Sequence, residues 1–206
     1  MQLVLATNNP HKIEELKTLL KGSPFEVVGY SEIFSDPIHP VEDGTTFQEN
    51  ALKKASAFPV HPRRVYLADD SGLEVAALHG QPGIFSARYG GENASGEERC
   101  RLLLAEMRHQ PDRRARFVCV VAILFPDGQK ETVEGIVNGT LTSTLSGTKG
   151  FGYDPIFIPE GYSQTFAQLG SEIKNKLSHR ARALRLAKTI IENKKTSPIA
   201  QAYQNI

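Results

Sequence analysis

The sequence lacks any marked excess of charge. Its 24 Lys and Arg residues nearly balance 23 Asp and Glu residues, which gives a formal net charge of +1 at pH 7. A protein that binds nucleic acid or an anionic membrane over a broad face usually carries a clear positive excess. The balance therefore argues against both partners, and any basic functional patch has to be local.

Cysteines and long apolar segments are also scarce. The two cysteines, Cys100 and Cys119, do not have the spacing of a metal motif, so we expect reduced thiols that pack as small apolar groups. The longest apolar run, residues 117–125, is too short to span a bilayer. The first residues lack the basic leader of a signal peptide. We therefore expect a cytoplasmic location.

The patterns that are present indicate one α/β protein, without internal repeats or a linker. At 206 residues, the chain is long enough for a single domain, residues 1–206, with two lobes. Apolar runs predict strands at residues 3–6, 25–28, 65–68, 73–75 and 116–125, with a further strand that ends near 137. Capping residues predict helices after Asn9, Thr46, Ser95 and Ser178. A turn at residues 126–128 makes a hairpin, so we expect a mixed sheet.

Two adjacent carboxylates, Asp69 and Asp70, follow the apolar run 65–68 and precede Ser71 and Gly72. This order predicts a strand that ends in acids at the edge of the sheet, followed by a Ser-Gly turn. Carboxylates at such an edge are suited to holding a cation. Asp-Ser-Gly is also ordinary turn chemistry, so the pair by itself leaves a purely structural role open.

Basic residues occur at two predicted helix starts. Residues 7–12, Thr-Asn-Asn-Pro-His-Lys, lead from the first strand into a helix, and backbone N–H groups at such a start bind phosphate. His179 and Arg180 stand in the first turn of the last predicted helix, with Lys174 upstream. Cations there oppose the helix dipole, and a phosphate or a carboxylate of the protein would remove that cost. Residues 7–12 are also explained as the start of an ordinary capped helix, in which Lys12 has no functional role.

Two further features are candidates for a ligand site. Residues 146–155 interleave glycines with aromatic residues, which suits close approach of the backbone to a ligand, and Phe151 or Tyr153 is available to stack on a flat ring. The pattern matches neither a P-loop nor a dinucleotide fingerprint. Glu42 lies just outside the second predicted helix and is not needed for its cap, so it is available to a ligand site. Glu49 is expected to serve the cap.

Acids for a metal, cations for phosphates and an aromatic platform together describe a nucleoside polyphosphate site. Six motifs also occur in order along the chain, at residues 7–12, 46–51, 68–72, 82–89, 150–155 and 178–180. Together they strongly resemble the inosine triphosphate pyrophosphatase family, also called Ham1-like or RdgB-like. The resemblance runs from about residue 3 to the last helix.

This resemblance implies an α/β fold in which an elongated mixed β-sheet and flanking helices form two lobes around a central cleft. It implies a homodimeric, cytoplasmic, Mg²⁺-dependent enzyme. The implied reaction is hydrolysis of non-standard, deaminated purine nucleoside triphosphates (ITP, dITP and XTP) to the nucleoside monophosphate and pyrophosphate, which cleanses the nucleotide pool. The expected partner is thus a small-molecule nucleotide, with no nucleic acid and no membrane.

The resemblance also assigns roles to residues. Asp70 would be the general base and, with Glu42, a metal ligand, while Ser71 would contact the substrate. Side chains alternate along a strand, so we expect Asp69 to turn away and brace the backbone or a neighbouring loop. The triphosphate would be bound by Thr7, Asn8, Asn9, Pro10, His11 and Lys12, and the base and sugar-phosphate by Phe151, Gly152, Tyr153, Asp154, Lys174, His179 and Arg180.

Other functions remain compatible with the residues. A non-catalytic nucleotide-binding regulator would bind without turnover, and replacement of Asp70 or Lys12 would favour it, but both are present. A general nucleotide phosphohydrolase would release orthophosphate, or would act on standard or modified pyrimidine nucleotides. A nucleic-acid-binding module is the least favoured alternative, because the basic residues lie at phosphate-loop positions and not along one face.

Overall fold

The computed structural model describes residues 1–36, 38 and 40–195. Its strands are β1 (Gln2–Leu5), β2 (Glu26–Gly29), β3 (Arg64–Val75), β4 (Arg114–Leu124), β5 (Lys130–Leu141) and β6 (Phe157–Pro159). Its α-helices are α1 (Pro10–Leu19), α2 (Phe47–Ser56), α3 (Gly96–Glu106), α4 (Phe166–Leu169), α5 (Ser171–Leu177) and α6 (His179–Lys195). Within this part of the chain, every helix is too short or too polar to cross a membrane.

The strands form one sheet in the order β2-β1-β3-β4-β5-β6. Strand β1 pairs in parallel with both β2 and β3, whereas β5 pairs with β6 antiparallel. A tight turn connects β4 to β5, in which the Phe125 N–H donates to the Gln129 carbonyl at 2.9 Å. The predicted α/β class with a mixed sheet and flanking helices is confirmed.

The chain divides into two compact units, and the long strands β3, β4 and β5 contribute residues to both. Unit 1 comprises residues 1–70, 120–134 and the described residues from 182 onward. Unit 2 comprises residues 71–119 and 135–181. The division falls within β3, between Asp70 and Ser71.

The core of unit 1 combines β1 with an aromatic stack. The Phe58 ring lies 5.1 Å from the Tyr66 ring in a stacked arrangement and 5.5 Å from the Tyr30 ring in an edge arrangement. Offset and edge contacts of this kind are the favourable geometries for aromatic pairs. Three apolar residues of α6, Leu184, Ala187 and Ile191, are also buried in this unit.

The core of unit 2 packs α3 against β-strand aromatics. Cys100 and Leu103 of α3, and Met107 directly after this helix, are completely buried. They belong to one cluster with Phe117 and Phe157, whose ring centroids lie 4.7 Å apart. Both cysteines are buried and neither forms a disulfide, as expected for reduced thiols in the core.

The predicted helix starts are confirmed by their capping hydrogen bonds. Each capping side chain accepts a hydrogen bond from a backbone N–H in the first turn, which satisfies one of the unpaired donors at a helix start. The bonds are His11 N to Asn9 Oδ1 at 3.0 Å, Glu49 N to Thr46 Oγ1 at 3.1 Å, Glu98 N to Ser95 Oγ at 3.1 Å and Ala181 N to Ser178 Oγ at 3.2 Å.

Strand β3 differs from its prediction. The sequence pattern predicts a strand end at the two acids and a turn at Ser71 and Gly72, but the strand runs through all four residues to Val75. The carboxylates of Asp69 and Asp70 are each paired with a lysine, so the strand can carry both charges in a buried position. The short elements β6, α4 and α5 were not predicted either.

Candidate functional site

The first group of functional side chains surrounds Asp70 in unit 1. Asp70 Oδ1 lies 2.8 Å from Lys54 Nζ, and Asp70 Oδ2 accepts a hydrogen bond from Asn50 Nδ2 at 3.3 Å. Lys54 Nζ also lies 3.4 Å from Glu42 Oε2. We call Asp70, Lys54, Glu42, Asp69 and Lys12 the acidic cluster. Glu42 and Asp70 therefore contact the same lysine, and their joint binding of a metal ion stays a prediction.

Helix α2 positions this cluster. Its cap at Thr46 fixes the start of the helix, and Asn50 and Lys54, four residues apart, then lie on one face. Asn50 Oδ1 accepts a hydrogen bond from the Gly44 N–H at 2.8 Å, which holds the loop that carries Glu42. A Cβ at Gly44 would lie 2.6 Å from Asn50 Oδ1, so this close approach requires glycine.

Sequence reasoning missed Asn50 and Lys54. Both are buried, at 1% and 8% exposure, although they are a polar and a charged residue. A signal was present in the sequence, because both flank the apolar positions Ala51 and Ala55 on the inward side of the predicted helix. A lysine on the buried face of a helix is rarely found without an anionic partner.

Asp69 pairs with the start of α1. Its Oδ2 atom lies 2.8 Å from Lys12 Nζ, and its carboxylate is 2% exposed. The two adjacent acids thus contact lysines from two different helices, as expected for side chains that alternate along a strand. Asp69 braces the helix start at Lys12, in the supporting role predicted for it.

The cluster holds three carboxylates and two ammonium groups. Burial raises the pKa of Asp70 above its ordinary value, and the Lys54 and Lys12 ammonium groups only partly offset this effect. Burial lowers the pKa of Lys54, but the carboxylates of Asp70, Asp69 and Glu42 together raise it. A carboxyl group with a raised pKa beside fixed donors is suited to accept a proton near neutral pH.

The oxygen donors of this cluster fit a Mg²⁺ ion. Asp70 and Glu42 both approach the same cationic group, Lys54 Nζ. Mg²⁺ is usually held by one or two carboxylates, with substrate phosphates and water completing its shell. Among residues 1–36, 38 and 40–195, no group of three or more His, Cys, Asp and Glu side chains forms an all-protein metal site. Asp70 and Glu42 are the carboxylates of this cluster that would hold such an ion.

The predicted triphosphate loop, residues 7–12, begins α1 in unit 1. Asn9 Oδ1 accepts hydrogen bonds from the N–H groups of His11 and Lys12, and Thr7 Oγ1 accepts one from the Asn9 N–H at 3.2 Å. Pro10 occupies the first turn, where its missing N–H costs nothing. Asn8 accepts a hydrogen bond from the hydroxyl of Tyr30. The loop is thus held by its own side chains and by outside contacts that include those of Tyr30 with Asn8 and of Asp69 with Lys12.

The second group of functional side chains lies in unit 2. Lys174 Nζ lies 2.7 Å from Asp154 Oδ2 and 4.3 Å from the centroid of the Phe151 ring. Arg180 Cζ lies 5.8 Å from the same centroid, and Arg180 Nη2 donates to Ser71 Oγ at 3.0 Å. We call these five residues the aromatic-cation cluster. The structure thus brings together residues that are distant in sequence.

The glycine-rich loop is shaped around Asp154. Asp154 Oδ2 accepts a hydrogen bond from the Phe151 N–H at 2.9 Å. Gly150 has a φ of 78°, and a Cβ at this position would overlap Asp154 Oδ2. Gly152 has a φ of 62°, and its carbonyl accepts a hydrogen bond from Cys100 Sγ at 3.3 Å. The glycines therefore allow the backbone to wrap around a buried carboxylate.

His179 and Arg180 begin α6 and are both buried, at 4% and 2% exposure. The His179 ring stacks on Phe117 with a centroid distance of 4.7 Å and an interplanar angle of 9°. Ser178, which precedes them, caps the helix. Stacking on Phe117 fixes the plane of the His179 ring, and the hydrogen bond to Ser71 Oγ orients the Arg180 guanidinium.

Tyr153, one of the two rings predicted to stack on a ligand, is buried in the structure. The sequence suggests Phe151 or Tyr153 as a stacking platform, but Tyr153 is 4% exposed and belongs to the core of unit 2. Its hydroxyl donates to the Ser86 carbonyl at 2.9 Å, and burial raises its pKa. Phe151 is only partly buried. Of these two rings, Phe151 is therefore the one that a ligand can reach.

Comparison with known proteins agrees with these features. A model of the Ham1 family matches residues 3–190. The chain belongs to the Ham1 family. A protein of Desulforamulus reducens named dITP/XTP pyrophosphatase is 47% identical over 193 residues, covering 93% of this chain and 96% of the relative. A Staphylococcus aureus protein of the same name is 42% identical over 194 residues, covering 94% and 98%.

Solved structures of Ham1 proteins have the same fold. The Staphylococcus aureus Ham1 protein superimposes with a TM-score of 0.84 at 41% identity, covering 95% of this chain and 100% of that one. A HAM1 protein from Coxiella burnetii gives a TM-score of 0.83 at 36% identity, covering 94% and 99%. The predicted family and fold class are both confirmed.

Proposed function

We propose that this Ham1 family member hydrolyses the non-standard purine nucleoside triphosphates ITP, dITP and XTP to the nucleoside monophosphate and pyrophosphate, and thereby cleanses the nucleotide pool. The observation that carries the proposal is Asp70, a buried carboxylate with a raised pKa that is held by Lys54 and Asn50 beside a second acid. The names of the relatives support the substrate class.

Release of pyrophosphate requires that water attack the α-phosphorus while the bond from this phosphorus to the bridging oxygen of the β-phosphate breaks. Asp70 accepts the proton of the attacking water, and its raised pKa makes it a stronger base than an ordinary aspartate. Hydrogen bonds from Lys54 and Asn50 fix the direction of the carboxylate. The pyrophosphate leaves with the electron pair of the broken bond.

Residues of the acidic cluster would also provide the positive charge that neutralises the phosphates of the substrate. Asp70 and Glu42 would hold Mg²⁺, and the bound ion would supply positive charge for the phosphate oxygens. Residues 7–12 would bind the triphosphate through the polar side chains of the loop, because the N–H groups of His11 and Lys12 already donate to Asn9 Oδ1. Lys12, already ordered by Asp69, adds a point charge for a phosphate.

The aromatic-cation cluster would bind the base and the sugar. The purine stacks on Phe151, whose position is fixed by the Lys174–Asp154 pair. The donors of His179 and Arg180 would recognise the oxygen at the purine 6-position. Adenine carries an amino donor there, so ATP would leave polar groups mispaired. Rejection of GTP has to depend on its 2-amino group.

We further propose that the protein acts as a cytoplasmic homodimer, as the family resemblance implies. Size-exclusion chromatography with light scattering tests the dimer directly, since a dimer has twice the mass of the 22.7 kDa chain. Localisation of the tagged protein in intact cells tests the compartment.

A panel of nucleotides tests the reaction itself. Purified protein is incubated with ITP, dITP, XTP, ATP, GTP and pyrimidine triphosphates, with and without Mg²⁺, and the products are separated by chromatography. We expect Mg²⁺-dependent formation of monophosphate and pyrophosphate from the three deaminated nucleotides, far faster than from ATP or GTP. Orthophosphate release or equal use of ATP would instead indicate a general phosphohydrolase. Binding without turnover would indicate a regulator.

A further inference from the structure

Tyr30 contacts the triphosphate loop from outside it. The Tyr30 hydroxyl donates a hydrogen bond to Asn8 Oδ1 across 22 positions of sequence. The neighbours of Asn8 use their side chains within the loop, because Thr7 Oγ1 accepts from Asn9 N and Asn9 caps α1. Asn8 is in addition largely exposed. Its orientation therefore depends on the contact with Tyr30.

Tyr30 itself is firmly anchored. It is 3% exposed, and its ring packs on Phe58, which in turn stacks on Tyr66 of β3. The turn that carries Tyr30 is closed by Glu32, whose Oε1 atom accepts from the Gly29 N–H at 2.7 Å. The same oxygen lies 2.8 Å from Lys17 Nζ in the last turn of α1. The tyrosine hydroxyl thus has a fixed position relative to α1.

The direction of the contact decides what Asn8 can offer a ligand. A side-chain amide is planar and carries an acceptor on one side and two N–H donors on the other. Because Tyr30 holds Oδ1, the donors on Nδ2 face away from Tyr30. A neutral, fixed N–H donor in a loop at a helix start is suited to a phosphate oxygen.

We propose that Tyr30 is a positioning residue for triphosphate binding, which orients the Asn8 amide so that its Nδ2 donors meet a phosphate oxygen. The proposal rests on the proposed function for the identity of the substrate. It concerns binding, since Tyr30 does not belong to the acidic cluster. Loss of its hydroxyl therefore raises KM and leaves the chemical step unchanged.

Tyr30→Phe tests this role, because it removes one oxygen and keeps the ring packed on Phe58. We expect KM for ITP to rise about tenfold, the value of one hydrogen bond, while kcat stays within about twofold. Asn8→Ala should produce a rise of similar size. The double variant should be no worse than either single variant, because both remove the same interaction.

Tyr66→Phe is the matched control. It removes another buried tyrosine hydroxyl from the same aromatic stack, and within the described residues this hydroxyl has no hydrogen-bond partner. We expect KM for ITP to be unchanged in this variant. A rise equal to that of Tyr30→Phe would overturn the proposal, because it would indicate a general effect of the stack.

Equilibrium binding separates this proposal from the proposed function. Inorganic triphosphate is titrated calorimetrically into the wild-type protein and the three single variants. We expect affinity to fall about tenfold in Tyr30→Phe and Asn8→Ala and to be retained in Tyr66→Phe. This result supports the role of Tyr30 even if the wild type fails to hydrolyse ITP. Wild-type affinity in Tyr30→Phe, additive losses in the double variant, or a fall in kcat alone would overturn it.

Discussion

The two units each contain a buried pair of lysine and aspartate, and the pairs differ in what surrounds them. In unit 2, Lys174 and Asp154 lie 2.7 Å apart, with side chains 4% and 2% exposed. In unit 1, Lys54 and Asp70 lie 2.8 Å apart, both 9% exposed. The distances are nearly equal, so the difference has to come from the neighbours.

Asp154 is enclosed by its own loop. It accepts the Phe151 N–H, and Gly150 leaves room for its carboxylate, so the pair braces the loop that presents Phe151. Lys54 instead contacts a second carboxylate, Glu42, and the pKa of Asp70 is raised because burial outweighs its ammonium neighbours. The Lys174–Asp154 pair thus holds the loop that carries Phe151, whereas a carboxylate that burial destabilises beside a second acid is suited to reaction.

The largest expected effect is on turnover in unit 1. Asp70→Asn removes the proposed base, and we expect kcat for ITP to fall about 1,000-fold. The free energy of unfolding should change by less than about 1 kcal/mol, because a neutral amide avoids the burial penalty of the carboxylate and Lys54 keeps Glu42 as a partner. Steady-state kinetics and urea unfolding measure the two quantities. Asp69→Asn, one position earlier, is the matched control and should lose far less turnover.

The corresponding change in unit 2 should act on stability. Asp154→Asn leaves the Lys174 ammonium without its buried carboxylate, and breaking a buried pair in this way costs about 3 kcal/mol. Urea unfolding at pH 7 measures the loss. If Asp154→Asn left stability unchanged and abolished turnover, the contrast between a structural pair and a reactive pair would be wrong.

A smaller effect is expected from the glycine next to this pair. Gly150→Ala places a methyl group against Asp154 Oδ2 at a residue whose φ is 78°. The strained backbone and the displaced carboxylate should together lower the free energy of unfolding by about 2 kcal/mol. Gly161→Ala is a suitable control, since its φ is 85° but a Cβ there meets nothing within 4 Å. Equal losses in both variants would mean that backbone strain alone is responsible.

The smallest expected effect is on the pH dependence of stability, and it comes from the Cys100 thiol, which lies near Asp154. Burial, and after it the nearby Asp154 carboxylate, raises the pKa of the Cys100 thiol from 9.0 to about 12. A group with a raised pKa in the folded state contributes stability that is complete below its unfolded pKa and is lost as pH rises toward the folded value. Between pH 7 and pH 10, Cys100 should therefore cost the protein about 1.4 kcal/mol.

Urea unfolding at the two pH values, in the wild type and in Cys100→Ala, isolates this contribution. The alanine variant should lose about 1.4 kcal/mol less than the wild type between pH 7 and pH 10, whatever its stability at pH 7. Asp154→Asn should lose nearly as much as the wild type, because burial, the larger cause of the raised pKa, remains. Identical pH dependence in the wild type and Cys100→Ala would show that the thiol does not resist ionisation.

Local features of the fold were predictable from the sequence. Asn9, Thr46 and Ser95 cap helices through residues two or three positions away, so their sequence contains the whole interaction. The family was also recognisable, because its motifs are contiguous. These features need no knowledge of distant contacts.

The features that were missed depend on distant residues. Strand β3 continues through Asp69 and Asp70 because Lys12 and Lys54 neutralise them, and these lysines lie 57 and 16 positions away. The same holds for Tyr153, whose burial follows from a hydrogen bond to Ser86 across 67 positions. A local pattern identifies neither partner, although the position of Lys54 on the buried side of α2 indicates that it needs an anion. The proposed roles in substrate and metal binding stay predictions until the experiments above are done.

The register between β1 and β3 determines the direction in which each of the two acids points. Residues Gln2 to Leu5 are in register with Arg64 to Leu67, directly before the two acids. A slip of one residue would turn each side chain to the opposite face, and would exchange Asp69 and Asp70 between Lys12 and Lys54. The four residues of β1 thus determine which carboxylate faces Lys54 and which faces Lys12, although they contain no reactive group themselves.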